Sequence, residues 1–332
     1  MARASQGAGV NVHLTFDVEI WCGDWAELDA RFPAAFERQC YGRSSAGDYA
    51  LPKTLEILRA SGLTGVFFVE PLFSARFGAN WLAIIVGLIQ GARQDVQLHL
   101  HPEWVDEISP PILNDISTKR QHLTHYNTDE QAALIRFGRR LLEDAKGAPI
   151  SVFRAGNFAA NRDTYRALRA NGIGVDSSLN PTYDLSAGTI EGMHDFASQR
   201  VIDGVQVYPI TVLRDGFGRP REAQVSACSF GELRAALLDA QRKGVRNFVI
   251  VSHNFEMLRP RSSVPDWTVV RRFEALCRFL AERPDLFQVG PFSQLQATSI
   301  APAEQRPAVA PWLTGHRHMQ QAMRALRKRG PR

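Results

Sequence analysis

The sequence lacks the patterns that mark membrane-spanning, secreted and cysteine-ligated metal proteins. None of its four cysteines is part of a CxxC pair, which argues against a disulfide framework and a thiolate zinc site and fits a reducing compartment. The longest apolar run, residues 81–89, is much shorter than the roughly 20 residues that a membrane span needs. The first residues contain no apolar signal core. We therefore expect a cytoplasmic protein without a transmembrane segment.

The chain also has little excess charge outside its C-terminal end. Its 332 residues carry a formal net charge of +5, but residues 301–332 alone contain seven basic residues and one acidic residue. This tail therefore carries +6, and residues 1–300 carry −1. A nearly neutral body gives no indication of nucleic-acid binding, so we expect no nucleic-acid partner.

We expect residues 1–300 to form a single domain and residues 301–332 to be a basic, flexible tail. Within the tail, Met319, Met323 and Leu326 recur at helical spacing with basic residues between them. The alternative is therefore an amphipathic helix that makes a weak, peripheral contact with an anionic membrane. In that case the substrate would be a lipid-linked sugar on the cytoplasmic leaflet.

Short apolar strands alternate with amphipathic helices along almost the whole chain. The pattern predicts strands at residues 10–19, 64–70, 96–101, 151–154, 174–178, 205–213, 247–252 and 286–290. It predicts helices at residues 49–60, 80–92, 128–145, 162–170, 230–243 and 266–282, with Thr128 and Ser229 as N-caps. Such alternation is typical of one parallel α/β domain, and seven or eight strands favour a barrel.

Two pairs of chemically active residues stand at the ends of predicted strands. Asp17 and Glu19 are two residues apart, so both point to the same face of the first strand. Carboxylates held so close repel each other unless a cation or a proton lies between them. His99 and His101 have the same spacing at the end of the third strand. Together the two pairs predict a divalent metal site at one edge of a parallel sheet.

Further ionisable and aromatic residues follow other predicted strands. In a parallel α/β barrel the functional residues lie at the C-terminal ends of the strands, which meet at one rim. The ionisable residues placed in this way are Glu103, Arg154, Asp176 and His253. Trp21, Trp25 and Trp104 follow the first and third strands, where they would either stack on a sugar ring or pack under the loops.

Five segments, in this order, resemble the motifs of the polysaccharide deacetylase (NodB-homology) family. They are TFDVE (15–19), HLHPEW (99–104), FRAGN (153–157), DSS (176–178) and VSHNF (251–255). The resemblance implies a distorted (β/α)7-type barrel and the metal-dependent hydrolysis of an N-acetyl or O-acetyl group on a sugar. Without a signal peptide, the chain looks more like the lipopolysaccharide- and exopolysaccharide-linked branch than like the secreted enzymes.

The resemblance also implies catalytic roles for four residues. Asp17 matches the general base that takes a proton from the attacking water, and Arg154 matches the arginine that holds this base. His253 matches the histidine that protonates the leaving group. Asp176 matches the acid that orients this histidine.

The metal ligands match the family pattern less closely. Glu19 stands nearest the metal-binding carboxylate, although family members often carry an aspartate directly after the base, where this chain has valine. The family's second motif has two histidines four residues apart, and Gln97 occupies the first of these positions relative to His101. Two sets stay open: Glu19 with His99 and His101, which we favour, or Glu19 with His99 and Glu103.

The choice of ligands affects the expected metal and the functional alternatives. Two histidines and one carboxylate suit Zn²⁺, our first expectation, and also Co²⁺, Ni²⁺ or Fe²⁺, whereas two carboxylates and one histidine shift the preference toward Mn²⁺ or Mg²⁺. The leading hypothesis is a metal-dependent carbohydrate deacetylase. Two alternatives remain: an amidase that acts on a small non-sugar amide, and a barrel that binds saccharide without catalysis.

Overall fold

Parallel strands and amphipathic helices alternate in the computed structural model, which describes residues 9–183, 190, 197–292 and 305–327. Its strands are β1 (Val10–Val18), β2 (Arg43–Ser44), β3 (Gly47–Asp48), β4 (Val66–Val69), β5 (Asp95–Leu100), β6 (Val152–Ala155), β7 (Val175–Asp176), β8 (Arg200–Ile202), β9 (Val205–Val207), β10 (Val212–Arg214), β11 (Pro220–Glu222), β12 (Asn247–His253) and β13 (Phe287–Val289). Its helices are α1 (Leu28–Phe36), α2 (Leu51–Ala60), α3 (Phe73–Phe77), α4 (Ala79–Gly91), α5 (Thr128–Lys146), α6 (Arg162–Ala170), α7 (Phe230–Arg242), α8 (Trp267–Ala281) and α9 (Pro311–Arg327).

The main sheet curls into a partial barrel in which β1 lies between β12 and β4. Its strand order is β12-β1-β4-β5-β6-β7-β9-β8, with β13 also paired to β1, and β8–β9 is its antiparallel pair. After β9 the chain crosses toward β12, where the backbone N–H of Thr211 donates to the carbonyl oxygen of Val249 at 3.1 Å. This closure confirms the expected distorted (β/α)7-type barrel.

Strict alternation along β1 separates the helix-facing core from the barrel interior. Val12, Leu14 and Phe16 are buried in the large core that also contains the apolar faces of the helices. The intervening Thr15 and Asp17 are buried as well, but belong to the other face. A smaller apolar cluster, which includes Phe68 and Val251, fills the barrel interior. The polar side chains of the strand ends therefore lie above an apolar floor.

The helix termini agree with the sequence patterns to within a few residues. Ser229 caps α7, as predicted, and the structure adds a reciprocal capping box with Glu232. The cap of α5 is one residue earlier than predicted: Asn127 accepts the backbone N–H of Glu130. The segment predicted as one strand at residues 205–213 is divided into β9 and β10 around Pro209, whose missing N–H interrupts strand pairing.

The described part of the C-terminal region is a packed helix rather than the expected flexible tail. Arg317 of α9 is 1% exposed, and its guanidinium donates to Glu232 at 3.0 Å and to Asp215 at 3.3 Å. Thr314 donates a further hydrogen bond to Glu232 at 2.9 Å. Burying a charge is unfavourable unless it is paired, and here the acidic partners lie on the barrel. The predicted boundary at residues 300 and 301 lies outside the described residues.

The cysteines and the helices of the structure bear on two further expectations. All four cysteines are free, as expected from their spacing. In the part of the chain that the structure describes, no helix has both the length and the apolar character needed to cross a bilayer.

Candidate active site

Strand register gathers the motif residues at the carboxyl edge of the sheet. Asp17 on β1 is in register with His253 on β12, and His99 on β5 is in register with Arg154 on β6. Glu19 follows β1, and Asn254 holds its backbone by accepting the N–H of Glu19 at 3.2 Å. Because neighbouring parallel strands end together, residues that are 80 to 235 positions apart in sequence share one rim.

Glu19, His99 and His101 form a compact, buried cluster. One carboxylate oxygen of Glu19 lies 2.9 Å from Nε2 of His99 and 2.9 Å from Nε2 of His101. Potential ligand atoms of the three residues all lie within 4.8 Å of one another. The indole N–H of Trp21 donates to the other Glu19 oxygen at 2.6 Å and fixes the carboxylate in place.

The hydrogen bonds of the two histidines indicate a cation site. Nδ1 of His99 lies 2.9 Å from the carbonyl oxygen of Arg154, so this nitrogen must carry the proton. Nδ1 of His101 lies 3.2 Å from a carboxylate oxygen of Glu103. In neutral histidines the two Nε2 lone pairs then point at the Glu19 oxygen, an arrangement that requires a proton or a metal between them. The donor set and its outer hydrogen bonds fit a divalent metal.

The electrostatics of the cluster agree with this interpretation. Burial alone would raise the pKa of Glu19, but the adjacent His101 and His99 hold it well below its usual value. Burial alone would lower the pKa of His101, whereas the charge of Glu19 and the hydrogen bond to Glu103 raise it to about 10. The site therefore stabilises positive charge between these side chains, which a bound cation would supply.

The geometry bears on the two ligand sets that the sequence leaves open. His101 points Nε2 at Glu19 and presents Nδ1 to Glu103, so Glu103 lies behind His101 rather than in the cluster. Gln97 points elsewhere: its side-chain oxygen accepts the backbone N–H of Val152 at 3.0 Å. The structure thus groups Glu19 with His99 and His101, the set that we favoured.

Beside the cluster, Asp17 is held by a buried arginine. The guanidinium of Arg154, which is fully buried, donates to a carboxylate oxygen of Asp17 at 2.6 Å. It also donates to the carbonyl oxygen of Ser177 at 2.9 Å and lies over the ring of Phe68, 4.2 Å from the ring centroid. These contacts fix the guanidinium, which in turn holds the Asp17 carboxylate in place.

His253 is oriented by Glu256, a residue that the motif analysis did not select. Nδ1 of His253 lies 2.8 Å from a carboxylate oxygen of Glu256. Gln224 donates to the same oxygen at 2.5 Å, and the hydroxyl of Ser252 donates to the other oxygen at 3.2 Å. Burial would lower the pKa of His253, but the bond to Glu256 and the charge of Glu19 raise it to about 10.

Asp176, the residue expected to orient His253, has different partners in the structure. Its carboxylate accepts the backbone N–H of Ser178 at 2.9 Å and also the Ser178 hydroxyl. The Ser178 hydroxyl oxygen in turn accepts the backbone N–H of Ala155 at 2.8 Å. Asp176 therefore braces the strand end that carries Arg154. In the order of the sheet, β1, β4, β5 and β6 separate β7 from β12, the strand that carries His253.

A cavity of about 790 Å³ opens above these residues. Trp21 and Trp25 line it, whereas Trp104 is 1% exposed and packs beneath them. Phe158 and Tyr183 line it as well, with ring centroids 5.2 Å apart. Aromatic surfaces beside polar groups are typical of sugar-binding clefts.

Solved structures of other proteins are similar to this chain in fold. No protein-family model and no curated protein matches the chain. A solved structure described as a "putative polysaccharide deacetylase" from Mycobacterium smegmatis is 19% identical, with a TM-score of 0.55 over 92% of this chain and 98% of that chain. The likeness shows the fold. Two weaker matches are a family 4 carbohydrate esterase from Streptomyces lividans in complex with acetate (15% identity, TM-score 0.42, 92% and 99% covered) and a pseudoenzyme of that family from Bacillus anthracis (15%, 0.39, 83% and 62%).

Several residues at this barrel rim escaped the sequence analysis. Lys119 lies over the Trp25 ring, 3.6 Å from its centroid, and donates to the carbonyl oxygen of Glu103 at 2.8 Å. Asn157 has a positive φ of 53° and donates to a carboxylate oxygen of Glu103 at 3.3 Å. Asn157 ends the FRAGN motif, but the sequence analysis gave it no role. Glu256 stands three residues after His253, the spacing of one helical turn. This spacing is the sequence feature that could have identified Glu256 as the partner of His253.

Proposed function

We propose that this protein is a metal-dependent hydrolase that removes an N-acetyl or O-acetyl group from a carbohydrate. One observation carries the proposal: the Glu19, His99 and His101 cluster, the Asp17–Arg154 pair and the Glu256-bound His253 all face one cavity with tryptophan walls. This combination supplies a Lewis-acid site, a base and an acid around a single substrate position. A volume of about 790 Å³ favours a sugar over a small non-sugar amide.

The proposed chemistry assigns a separate task to each residue. Glu19, His99 and His101 would hold a divalent cation, Zn²⁺ by our first expectation, which when bound polarises the acetyl carbonyl and makes water more acidic. Asp17, held in place by Arg154, accepts the proton of the attacking water. His253, kept protonated by Glu256, donates a proton to the departing nitrogen or oxygen. An amine is a poor leaving group, so this donation is essential for an N-acetyl substrate.

The experiment that tests the proposal measures acetate released from a panel of N-acetylated and O-acetylated oligosaccharides. We expect the Zn²⁺-loaded protein to release acetate from at least one of them and the chelator-treated protein to release none. A folded, Zn²⁺-loaded protein that binds a panel member and releases no acetate would instead support the saccharide-binding alternative. Acetate release from small amides alone would support the amidase alternative.

Substitution of Glu256 tests the assignment of the acid. We expect Glu256→Gln to lower kcat roughly 10- to 100-fold at pH 8, because general acid catalysis contributes about 10²–10⁴-fold and His253 keeps part of its function. Without the Glu256 charge, the raised pKa of His253 falls. His253 in the variant then loses its proton at a lower pH than His253 in the wild type. As the pH rises, the activity of the variant therefore declines before that of the wild type. A pH–rate profile measures this shift.

Asp176→Asn is the matched control for this substitution. Loss of the Asp176 carboxylate weakens the support that Ser178 gives to the end of β6, so kcat is expected to fall. The alkaline side of the pH–rate profile, which we call the basic limb, should not shift. A basic limb that moves in Asp176→Asn and stays fixed in Glu256→Gln would contradict the assignment.

We further propose that α9 makes a weak contact with an anionic membrane surface, where a lipid-linked sugar would be presented on the cytoplasmic side. Trp312, Met319 and Met323 are 71%, 53% and 45% exposed. The helix contains no acidic residue from residue 311 to 327. Exposed apolar side chains on an amphipathic helix are typical of helices that lie in a membrane surface.

A triple substitution tests this contact without removing the buried Arg317. We expect Trp312→Ser, Met319→Ser and Met323→Ser together to weaken binding to anionic vesicles at least roughly tenfold, because each exposed apolar side chain contributes on the order of 1 kcal/mol when buried. Sedimentation with phosphatidylglycerol vesicles measures it. Val201→Ser, an exposed apolar residue on β8, is the control. Equal binding by the triple variant and the wild type would refute the contact.

A further inference from the structure

One wall of the catalytic cavity consists of side chains to which the proposed chemistry gives no task. It is formed by Glu222 on β11, Phe158 after β6 and Tyr183 after β7, and we call these three residues the Glu222 wall. Asn180 connects two of them: its side-chain amide donates to a carboxylate oxygen of Glu222 at 2.6 Å, and its carbonyl oxygen accepts the backbone N–H of Tyr183 at 2.9 Å. The carboxylate therefore lies beside the turn that carries Tyr183, whose ring packs against Phe158.

Among the described residues, the carboxylate of Glu222 has no positively charged partner. The adjacent Arg221 is paired at 3.8 Å with an aspartate in the turn before β11, and Lys119, the lysine of the cavity, is paired with Asp106 at 2.5 Å. Asn180 donates to one oxygen of Glu222, and no donor among the described residues lies within hydrogen-bond distance of the other. This second oxygen can accept a hydrogen bond from a ligand in the cavity.

The other carboxylates that line the cavity already have partners. Asp17 is bound by Arg154 at 2.6 Å. Glu19 belongs to the metal cluster, and a carboxylate oxygen of Glu103 lies 3.2 Å from Nδ1 of His101. The carboxylate on β11 is therefore the one whose negative charge a ligand in this cavity can balance.

The two aromatic rings of the wall add a surface that attracts positive charge. The ring centroids of Phe158 and Tyr183 are 5.2 Å apart with an angle of 63° between the rings, and Tyr183 is 43% exposed. Phe158 has a φ of 56° and the preceding Asn157 a φ of 53°, a backbone region that bulky side chains rarely adopt. Strained residues of this kind are concentrated at active sites and ligand clamps. The faces of such rings attract ammonium groups.

A carboxylate beside two aromatic rings is suited to an ammonium group, which donates hydrogen bonds to the carboxylate and is attracted by the rings. We propose that the Glu222 wall binds a free amino group of the saccharide, so that the substrate carries a protonated amine on a sugar next to the acetylated one. The cavity volume of about 790 Å³ accommodates this second sugar. The assignment rests on the proposed function, since that function places the acetylated sugar in the same cavity.

Two acetyl-free saccharides separate recognition of the charge from recognition of the sugar. The β-1,4-linked tetramers of glucosamine and of glucose differ only in the ammonium or hydroxyl group at C2, and neither can release acetate. At pH 6, below the pKa of about 7.7–8.0 of comparable amines, we expect the Zn²⁺-loaded full-length protein to bind the glucosamine tetramer at least about tenfold more tightly, as one charge-assisted contact predicts. Calorimetry measures both affinities. Equal affinities would overturn the proposal.

Substitutions in the wall show where the amine binds. We expect Glu222→Gln to reduce the preference for the glucosamine tetramer to about twofold or less, and Tyr183→Leu to reduce it by about two- to fivefold. Glu56→Gln, which changes an exposed glutamate on α2 with a side chain 58% accessible, is the matched control and should keep the full preference. An unchanged preference in Glu222→Gln would place the amine elsewhere, such as at the metal, and would overturn the proposal.

Acetate release distinguishes failure of this inference from failure of the proposed function. We expect kcat/KM at pH 6 to be about tenfold higher for a glucosamine tetramer with one N-acetyl group than for the fully N-acetylated tetramer, and Glu222→Gln to remove most of this difference. Acetate release from both tetramers with equal kcat/KM would overturn the amine assignment alone. Tighter binding of the glucosamine tetramer without acetate release from any acetylated saccharide would overturn the proposed function, and with it the assignment of the substrate.

Discussion

Asp17→Asn is expected to lower kcat roughly 10³-fold or more while the protein remains folded and retains its metal. A positioned general base contributes about 10²–10⁴-fold, and asparagine cannot accept the proton of the attacking water. Asp17 also neutralises the fully buried Arg154 through a 2.6 Å bond. Removing one partner of a buried ion pair is expected to lower the free energy of unfolding by roughly 3 kcal/mol. Acetate release and urea denaturation measure the two effects.

The control for Asp17 is Asp24, an exposed carboxylate that is close to Asp17 in the sequence. Asp24 forms a 3.7 Å ion pair with Arg31, and its side chain is 55% accessible, so Asp24→Asn should change neither rate nor stability measurably. An Asp17→Asn variant with wild-type kcat would rule out Asp17 as the base. A variant that loses its metal would show that Asp17 is itself a ligand, which the second possible cluster of Asp17, Glu19 and His253 would allow.

Glu19→Gln is expected to reduce Zn²⁺ affinity by roughly 10²-fold or more and to abolish acetate release at limiting metal. Changes to groups that merely support metal ligands cost about 10- to 100-fold in affinity, so the loss of the one carboxylate in the cluster should exceed that range. Competition with a zinc-binding chromophore measures the affinity.

Glu103→Gln is the comparison that separates the two ligand sets. In the structure Glu103 supports His101 through Nδ1 at 3.2 Å, so its loss should weaken Zn²⁺ binding by about tenfold, less than the loss of Glu19. A Glu103→Gln variant that loses as much affinity as Glu19→Gln, together with a normal His101→Ala variant, would contradict the favoured ligand set.

The barrel and most of the site follow from patterns that a sequence shows directly. Consecutive β-branched and aromatic residues predict the buried parallel strands, and the polar residue at each strand end then falls on one rim. Asp17 and His253 become neighbours for this reason alone. Helix α1 was not predicted, because it contains Pro33 and has no side-chain N-cap. Burial of Phe32 and Phe36 in the core stabilises this helix instead.

The unpredicted features depend on contacts between distant segments. Periodicity identifies α9 as amphipathic but does not show that the basic Arg317 is buried against Glu232 and Asp215. Similarly, a motif places an acid near the site but does not determine which carboxylate reaches His253. That choice is made by the turn after β12, which brings Glu256 within 2.8 Å, whereas Asp176 is directed to Ser178.

Anomalous diffraction at the zinc edge, from a crystal of the protein soaked in Zn²⁺, tests the central claim most directly. The cluster predicts one peak at about 2.0–2.2 Å from Nε2 of His99, Nε2 of His101 and a carboxylate oxygen of Glu19. Asp17 and His253 should then lie on opposite sides of the open coordination positions, free to act as base and acid. A peak coordinated by Asp17, Glu19 and His253, or no peak while Glu19 and the two histidines keep their positions, would contradict the account.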